Sequence, residues 1–150
     1  MKIGVISDTH GLVREEAMRA LRGAELIIHA GDIGSAQVLA VLKTICPVKA
    51  IRGNVDTDAW AKSLPERTIV EVRGRRIYVL HNLKELDVDP AANGFDLVIS
   101  GHSHKPRCEE VNGVMYLNPG SAGPRRFKLP IAVAILQISS SAISANIRLL

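Results

Sequence analysis

The chain breaks into short apolar runs, and the spacing between them changes about half-way along. In the first half, residues 2–6 (KIGVI), 25–29 (ELIIH) and 48–51 (VKAI) are apolar runs of strand length. Between them, apolar residues recur at helical spacing: Val13, Ala17 and Leu21 first, then Val38, Val41, Leu42 and Ile45 after Ser35, a residue type that caps helix starts. Strands joined by helix-length connections predict βαβ units and a parallel sheet. In the second half the intervals shorten. RTIVEV (67–72) and RRIYVL (75–80) flank Arg73-Gly74, and RCEEV (107–111) and VMYLN (114–118) flank Asn112-Gly113, so each pair predicts a β-hairpin. DLVIS (96–100) reads as a buried strand, and residues 131–138 and 142–147 as a closing antiparallel pair. The sum is an α/β fold: two mixed sheets face to face, helices outside, in one domain spanning residues 1–150.

Composition narrows the class. With 47% hydrophobic and 23% charged residues in 150, the chain can bury a core and is not of disordered type. MKIGVISD lacks the apolar stretch of a secretory signal, and IAVAIL (131–136) falls far short of the ~20 residues of a membrane helix. A cytoplasmic protein without a membrane partner is expected. Cys46 and Cys108 form no CxxC, so two buried reduced thiols are expected rather than a zinc–thiolate site. The net charge of +4 is spread along the chain, with RGRR (73–76) and PRR (124–126) as the only basic clusters. One Trp, two Tyr and two Phe provide little for base stacking. No specific nucleic-acid binding is expected, and the basic balance suits a small anionic substrate. The sequence is compatible with a homo-oligomer and does not specify one.

The chemistry collects where strands end. Asp8 and His10 follow the first run, Asp32 the second and Asn54 the third. His81 follows RRIYVL, and His102 and His104 follow DLVIS. Open α/β sheets build their sites at the carboxyl ends of strands. Two Asp, one Asn and four His supply oxygen and imidazole donors without a thiolate, a set suited to Mn²⁺, Ni²⁺, Fe²⁺, Zn²⁺ or a similar divalent ion. Seven such donors exceed one tetrahedral site and match two ions about 3.5–4 Å apart, the arrangement of two-metal phosphoester hydrolysis. Glycines precede three of the groups, at Gly31, Gly53 and Gly101, where the backbone must turn or a ligand must come close.

Asp8-Thr9-His10, Gly31-Asp32, Gly53-Asn54-Val55-Asp56, His81 and Gly101-His102-Ser103-His104 resemble, in order, the motif series of the calcineurin-like metallophosphoesterases. Its small YfcE-like phosphodiesterase branch is the nearest in pattern, and Asn118-Pro119-Gly120-Ser121 resembles that branch's next loop. The resemblance covers nearly the whole chain. It implies a four-layer α/β/β/α sandwich with flanking helices, and a metal pair with manganese foremost and Ni, Fe, Zn or Mg as other occupants. It also implies that Asp8, His10 and His104 hold one ion, that Asn54, His81 and His102 hold the second, and that Asp32 bridges them. The implied reaction is hydrolysis of a small phosphoester, most simply a diester, by in-line attack of a metal-bridging hydroxide, with no protein nucleophile. The alternative is a catalytically weak interaction scaffold on the same fold, as the retromer's phosphoesterase-like subunit is.

Two positions depart from the family pattern. Val55 stands where many relatives carry a histidine placed to protonate the leaving group, and Asn82 follows His81 where relatives usually have glycine. If position 82 needs a positive φ, asparagine is among the least costly substitutes. His29 and Asp56 are candidates to support the ligands from behind; equally, His29 could be a hydrogen-bonded core residue and Asp56 could bond to its own turn. Trp60, in the 57–66 loop, is expected to pack rather than to cover the site.

Overall fold

The computed structural model describes residues 1–150 and contains ten strands in two five-stranded sheets. In the first sheet β1 (Lys2–Ile6) lies at the centre, with β2 (Leu26–His29) and β3 (Val48–Ala50) parallel to it on one side. On the other side β9 (Ala132–Ile138) and β10 (Ile143–Leu149) run antiparallel, giving the order β10-β9-β1-β2-β3. The second sheet has the order β4-β5-β6-β8-β7, built from β4 (Arg67–Val72), β5 (Arg75–Leu80), β6 (Leu97–Ile99), β7 (Arg107–Val111) and β8 (Val114–Asn118). β5, β6 and β8 run parallel, and β4 and β7 are antiparallel edges. Both hairpins lie where their turn residues place them. Asn112 (φ 52°) and Gly113 (φ 79°), like Arg73 (φ 50°) and Gly74 (φ 75°), adopt the paired positive φ of a two-residue hairpin turn.

The two sheets meet face to face through fifteen buried apolar side chains, among them Ile3, Val5 and Ile28 from one sheet and Ile77, Val79 and Ile99 from the other. Each such side chain contributes roughly 1.5–3 kcal/mol by leaving water. The outer face of the first sheet is covered by α1 (Glu15–Leu21) and α2 (Ala36–Leu42), through Ala17, Leu21, Val38 and Leu42 on Ile6, Ile27 and Val133. Trp60 packs against this same cluster, as expected. Ser35 does precede α2, although its side chain makes no capping hydrogen bond.

The outer face of the second sheet is covered more thinly. Residues 81–95 cross it with one 3₁₀ turn, Leu83–Glu85, and place Leu83, Leu86 and Val88 against Tyr78, Leu80 and Val98. Pro90 and the left-handed Gly94 (φ 74°) break any helical run there, so the fourth layer is mostly irregular chain. The expectation for the cysteines is corrected: Cys108 is exposed because β7 is an edge strand with every residue exposed, and Cys46 is only partly buried. No helix is long and apolar enough to cross a membrane.

The parallel order of β1, β2 and β3 and of β5, β6 and β8 decides where chemistry can occur. All seven candidate ligands follow the carboxyl ends of five of these strands, and Asn118–Ser121 follows the sixth.

Candidate metal centre

The loops after these strands are tight, and their backbones are strained in one characteristic way. Eight non-glycine residues have positive φ, and five of them are candidate ligands: Asp8 (55°), His10 (46°), Asp32 (54°), His102 (70°) and His104 (62°). A left-handed conformation costs an L-residue roughly 1–2 kcal/mol. Such strain persists only where the surroundings hold it, as they do at functional sites. Close approach explains the glycines: a Cβ on Gly53 would overlap the Asp32 carboxylate, and one on Gly101 would overlap Ser7 and lie 2.7 Å from Asp8 Oδ2.

Asp8 is fully buried and Asp32 nearly so. Each uses one carboxylate oxygen to fix the loops and turns the other inward. Asp8 Oδ2 accepts from the Ser7 hydroxyl (2.7 Å) and the His102 backbone N–H (3.0 Å). Its Oδ1 has no hydrogen bond and faces His104 Nε2 (3.3 Å), His81 Nε2 (3.8 Å) and His10 Nε2 (3.9 Å). Asp32 Oδ1 accepts from the Val55 N–H (3.1 Å). Its Oδ2 lies 3.2 Å from His81 Nε2 and 3.8 Å from His10 Nε2, so a single oxygen faces imidazoles of both groups.

His81 Nδ1 lies 2.7 Å from the Ala30 carbonyl, which can only accept, so Nδ1 donates and Nε2 of the neutral ring presents its lone pair to Asp32. That is unfavourable unless a proton or a cation lies between them. In the protein alone, burial lowers the His81 pKa, but the Asp32 carboxylate, the Ala30 carbonyl and the Asp8 charge outweigh it and raise the value. Burial raises the Asp8 pKa, and His104, Ser7 and His81 outweigh it; the same contest, won mainly by His81, leaves Asp32 low as well. Asp8 Oδ1, His10 Nε2, His81 Nε2 and His104 Nδ1 are all buried without a hydrogen-bond partner. Buried polar atoms are seldom left so. Asp8, His10 and His104 form one group whose ligand atoms lie within 4.8 Å of one another, and Asp32, His81 and His102 form a second. His102 and His104 thus part into different groups, as two histidines separated by one turn residue can. Asn54 lines a cleft of about 270 Å³ together with His81 and His102. Orphaned nitrogens and oxygens of borderline donors, in two groups facing one shared carboxylate, fit a pair of divalent cations.

Asp56 and His29 act from behind this constellation. Asp56 accepts from three backbone amides, Ile33 and Gly34 (both 3.0 Å) and Gly53 (2.8 Å), and so ties the Asp32 loop to the Asn54 loop without touching a histidine. His29 is fully buried. Its Nδ1 accepts from the Gly31 N–H (3.1 Å), so Nε2 carries the proton and donates to Thr9 Oγ1 (3.0 Å), whose hydroxyl donates to the Ile33 carbonyl (2.8 Å). It is a core histidine that braces two ligand loops, and neither ring nitrogen is free to protonate a leaving group. Val55 is exposed, with an aliphatic side chain that brings no proton. Asn82 has φ −108°, so glycine is not needed there, and its side chain caps the 3₁₀ turn by accepting from the Lys84 N–H (3.1 Å).

Other supports were not singled out in the sequence as positioning residues. Asn118 Nδ2 donates to the Gly101 carbonyl (2.9 Å) and to Ser103 Oγ (3.1 Å), and Ser121 Oγ donates to the Asp8 carbonyl (3.1 Å). The signals were their place at a strand end and the resemblance of Asn118-Pro119-Gly120-Ser121 to a loop of the YfcE-like branch.

A sequence profile of the calcineurin-like phosphoesterase superfamily domain matches residues 1–141. A probable metallophosphoesterase of Methanothermobacter thermautotrophicus is 34% identical, over 98% of this chain and 91% of its own. The phosphodiesterase YfcE of Escherichia coli K12 is 26% identical, over 81% and 79%. The solved structure of Chaetomium thermophilum Vps29 superposes with a TM-score of 0.84 at 21% identity, covering all of this chain and 86% of that one.

The bracing role of His29 has a pH signature. Burial lowers its pKa to about 4 from the ordinary 6.5. The unfolded chain therefore binds the proton first, and the stability this residue contributes is complete above pH 6.5 and lost as pH falls toward 4. The difference amounts to about 3 kcal/mol in the metal-free protein. Imidazole ¹⁵N spectra are expected to show the Nε2–H tautomer with no titration down to pH 5. A ring that titrates near 6.5 contradicts the assignment.

Proposed function

The chain belongs to the calcineurin-like phosphoesterase superfamily, and on that premise we propose that it is a binuclear metal-dependent phosphodiesterase acting on a small phosphodiester. The observation that carries this reading is the convergence of buried, unpartnered Asp8 Oδ1, His10 Nε2 and His81 Nε2 on one spot where Asp32 Oδ2 faces both ligand groups. Asp8, His10 and His104 would hold one ion, Asn54, His81 and His102 the other, and Asp32 would bridge them. Manganese is the first candidate. When bound, such a pair supplies an ionised water for in-line attack and offsets charge on the phosphoryl and leaving oxygens.

The rest falls to the side chains of the chain itself. Arg52 lies in the cleft with Asn54, His81 and His102, where it can meet a phosphate oxygen although it also pairs with Glu66 at 3.3 Å. Asp56, His29 and Asn118 keep the ligand loops in register, so the strained backbones need no rearrangement when substrate arrives. Bis(4-nitrophenyl) phosphate is expected to be hydrolysed after loading with Mn²⁺ or Ni²⁺, and a chelator to abolish this. Asp32→Ala is expected to lower kcat/KM by more than about a hundredfold, beyond the usual loss for a residue that only supports a ligand. Fully metallated protein that turns over no mono- or diester would instead favour an interaction scaffold.

A second outcome follows from Val55. A positioned general acid contributes roughly 10²–10⁴-fold by protonating the leaving oxygen. With valine at that place and His29 sealed in the core, neither position supplies that proton. The rate is expected to fall steeply as leaving-group pKa rises across substituted aryl and alkyl diesters, and Val55→His to flatten the dependence. A shallow slope in the wild type, with chemistry rate-limiting, overturns this.

A further inference from the structure

Beside His102 a second cavity of about 490 Å³ opens. It shares Asn82 and His102 with the cleft lined by the candidate ligands Asn54 and His81, so the two cavities adjoin at these residues. Leu83, Leu117 and Tyr116 supply its apolar surface, and Lys84 and Arg107 stand among its lining residues, none of which is acidic. Leu117 is buried in β8, while Leu83 and Tyr116 are only partly covered. Arg107 places its guanidinium carbon 5.9 Å from the centre of the Tyr116 ring and is ion-paired with Glu109, whereas Lys84 makes no ion pair. The walls come from the same strand ends that carry His81, His102 and Asn118. The positions of Tyr116 and Leu117 are therefore set by the sheet, and those of Leu83 and Lys84 by the 3₁₀ turn that Asn82 caps.

Phosphorus reacts where the ligands converge, and a diester carries two organic groups that must lie somewhere. Pockets of this volume take whole organic substituents, with apolar walls supplying affinity and a few polar groups supplying orientation. A wall with an aromatic face and a guanidinium beside it favours a flat ring. An ammonium without an ion-pair partner, as Lys84 has here, favours a ring that carries further negative charge.

We propose that this cavity selects the substrate: it takes a planar aromatic ester group of the phosphodiester, the ring against Tyr116 and Leu83 and any additional negative charge toward Lys84. The proposal rests on the phosphodiesterase reading for its setting and its first test, but not for its second. Bis(4-nitrophenyl) phosphate and methyl 4-nitrophenyl phosphate share a leaving group and differ only in the group that stays behind. The wild type is expected to prefer the first by about tenfold in kcat/KM, the size of effect that a stacked ring usually carries. Tyr116→Ala is expected to bring that ratio near one, and Tyr116→Phe to keep it. A wild-type ratio near one, or a ratio that Tyr116→Ala leaves in place, overturns the proposal. The second readout needs no metal and no turnover. Metal-free wild-type protein titrated with phenyl phosphate is expected to shift the backbone amides of Leu83, Lys84, Arg107 and Tyr116, and methyl phosphate is expected to leave Leu83 and Tyr116 unmoved. Equal responses to both ligands, or none, overturn the proposal even if neither diester is hydrolysed.

Discussion

Two carboxylates buried side by side are the constraint around which this protein is arranged. Asp8 and Asp32 lie almost wholly out of water, where an uncompensated ionised carboxylate costs several kcal/mol. Hydrogen bonds meet half of each: Ser7 and the His102 amide for Asp8, the Val55 amide for Asp32. The inward oxygens have no hydrogen bond from any donor, only imidazole nitrogens at 3.2–3.9 Å, of which His10 Nε2 and His81 Nε2 are themselves without partners. The unmet charge would favour cation binding, and the fold maintains it by bringing five strand ends to one edge.

Holding such a site requires rigidity behind it. Asp56 stitches two loops through three amides, His29 joins the loops of Thr9 and Gly31, and Asn118 and Ser121 reach across from the last parallel strand. These bonds maintain the left-handed backbones of Asp8, His10, Asp32, His102 and His104, which would otherwise relax. The sheets contribute positions and the buried polar network contributes conformation. The exposed groove beside His102 is left free to differ in size and charge.

Much of this was legible in the residues, for reasons that can be separated. Strands with one apolar face and a two-residue turn, such as Arg67–Val72 with Arg75–Leu80, declare both extent and pairing locally. The candidate ligand set could be drawn up because oxygen and imidazole donors sit after successive apolar runs. The outer layer over the second sheet was not, because Leu83, Leu86 and Val88 have no helical period to read and are placed by tertiary packing alone. Cys108 was misplaced because the exposure of an edge strand depends on sheet order, which a hairpin signal does not specify. The choice between a bracing and a reacting role for His29 turned on one backbone amide, Gly31 N–H, which only three dimensions reveal.

The central claim is that two cations share Asp32. Anomalous diffraction from crystals grown with manganese(II) tests it most directly, because the signal locates the ions independently of any activity. Two peaks are predicted, about 3.5–4 Å apart. One would lie among Asp8, His10 and His104, the other among Asn54, His81 and His102, with the Asp32 carboxylate between them. A single peak, or peaks remote from these side chains at full manganese loading, would contradict the account.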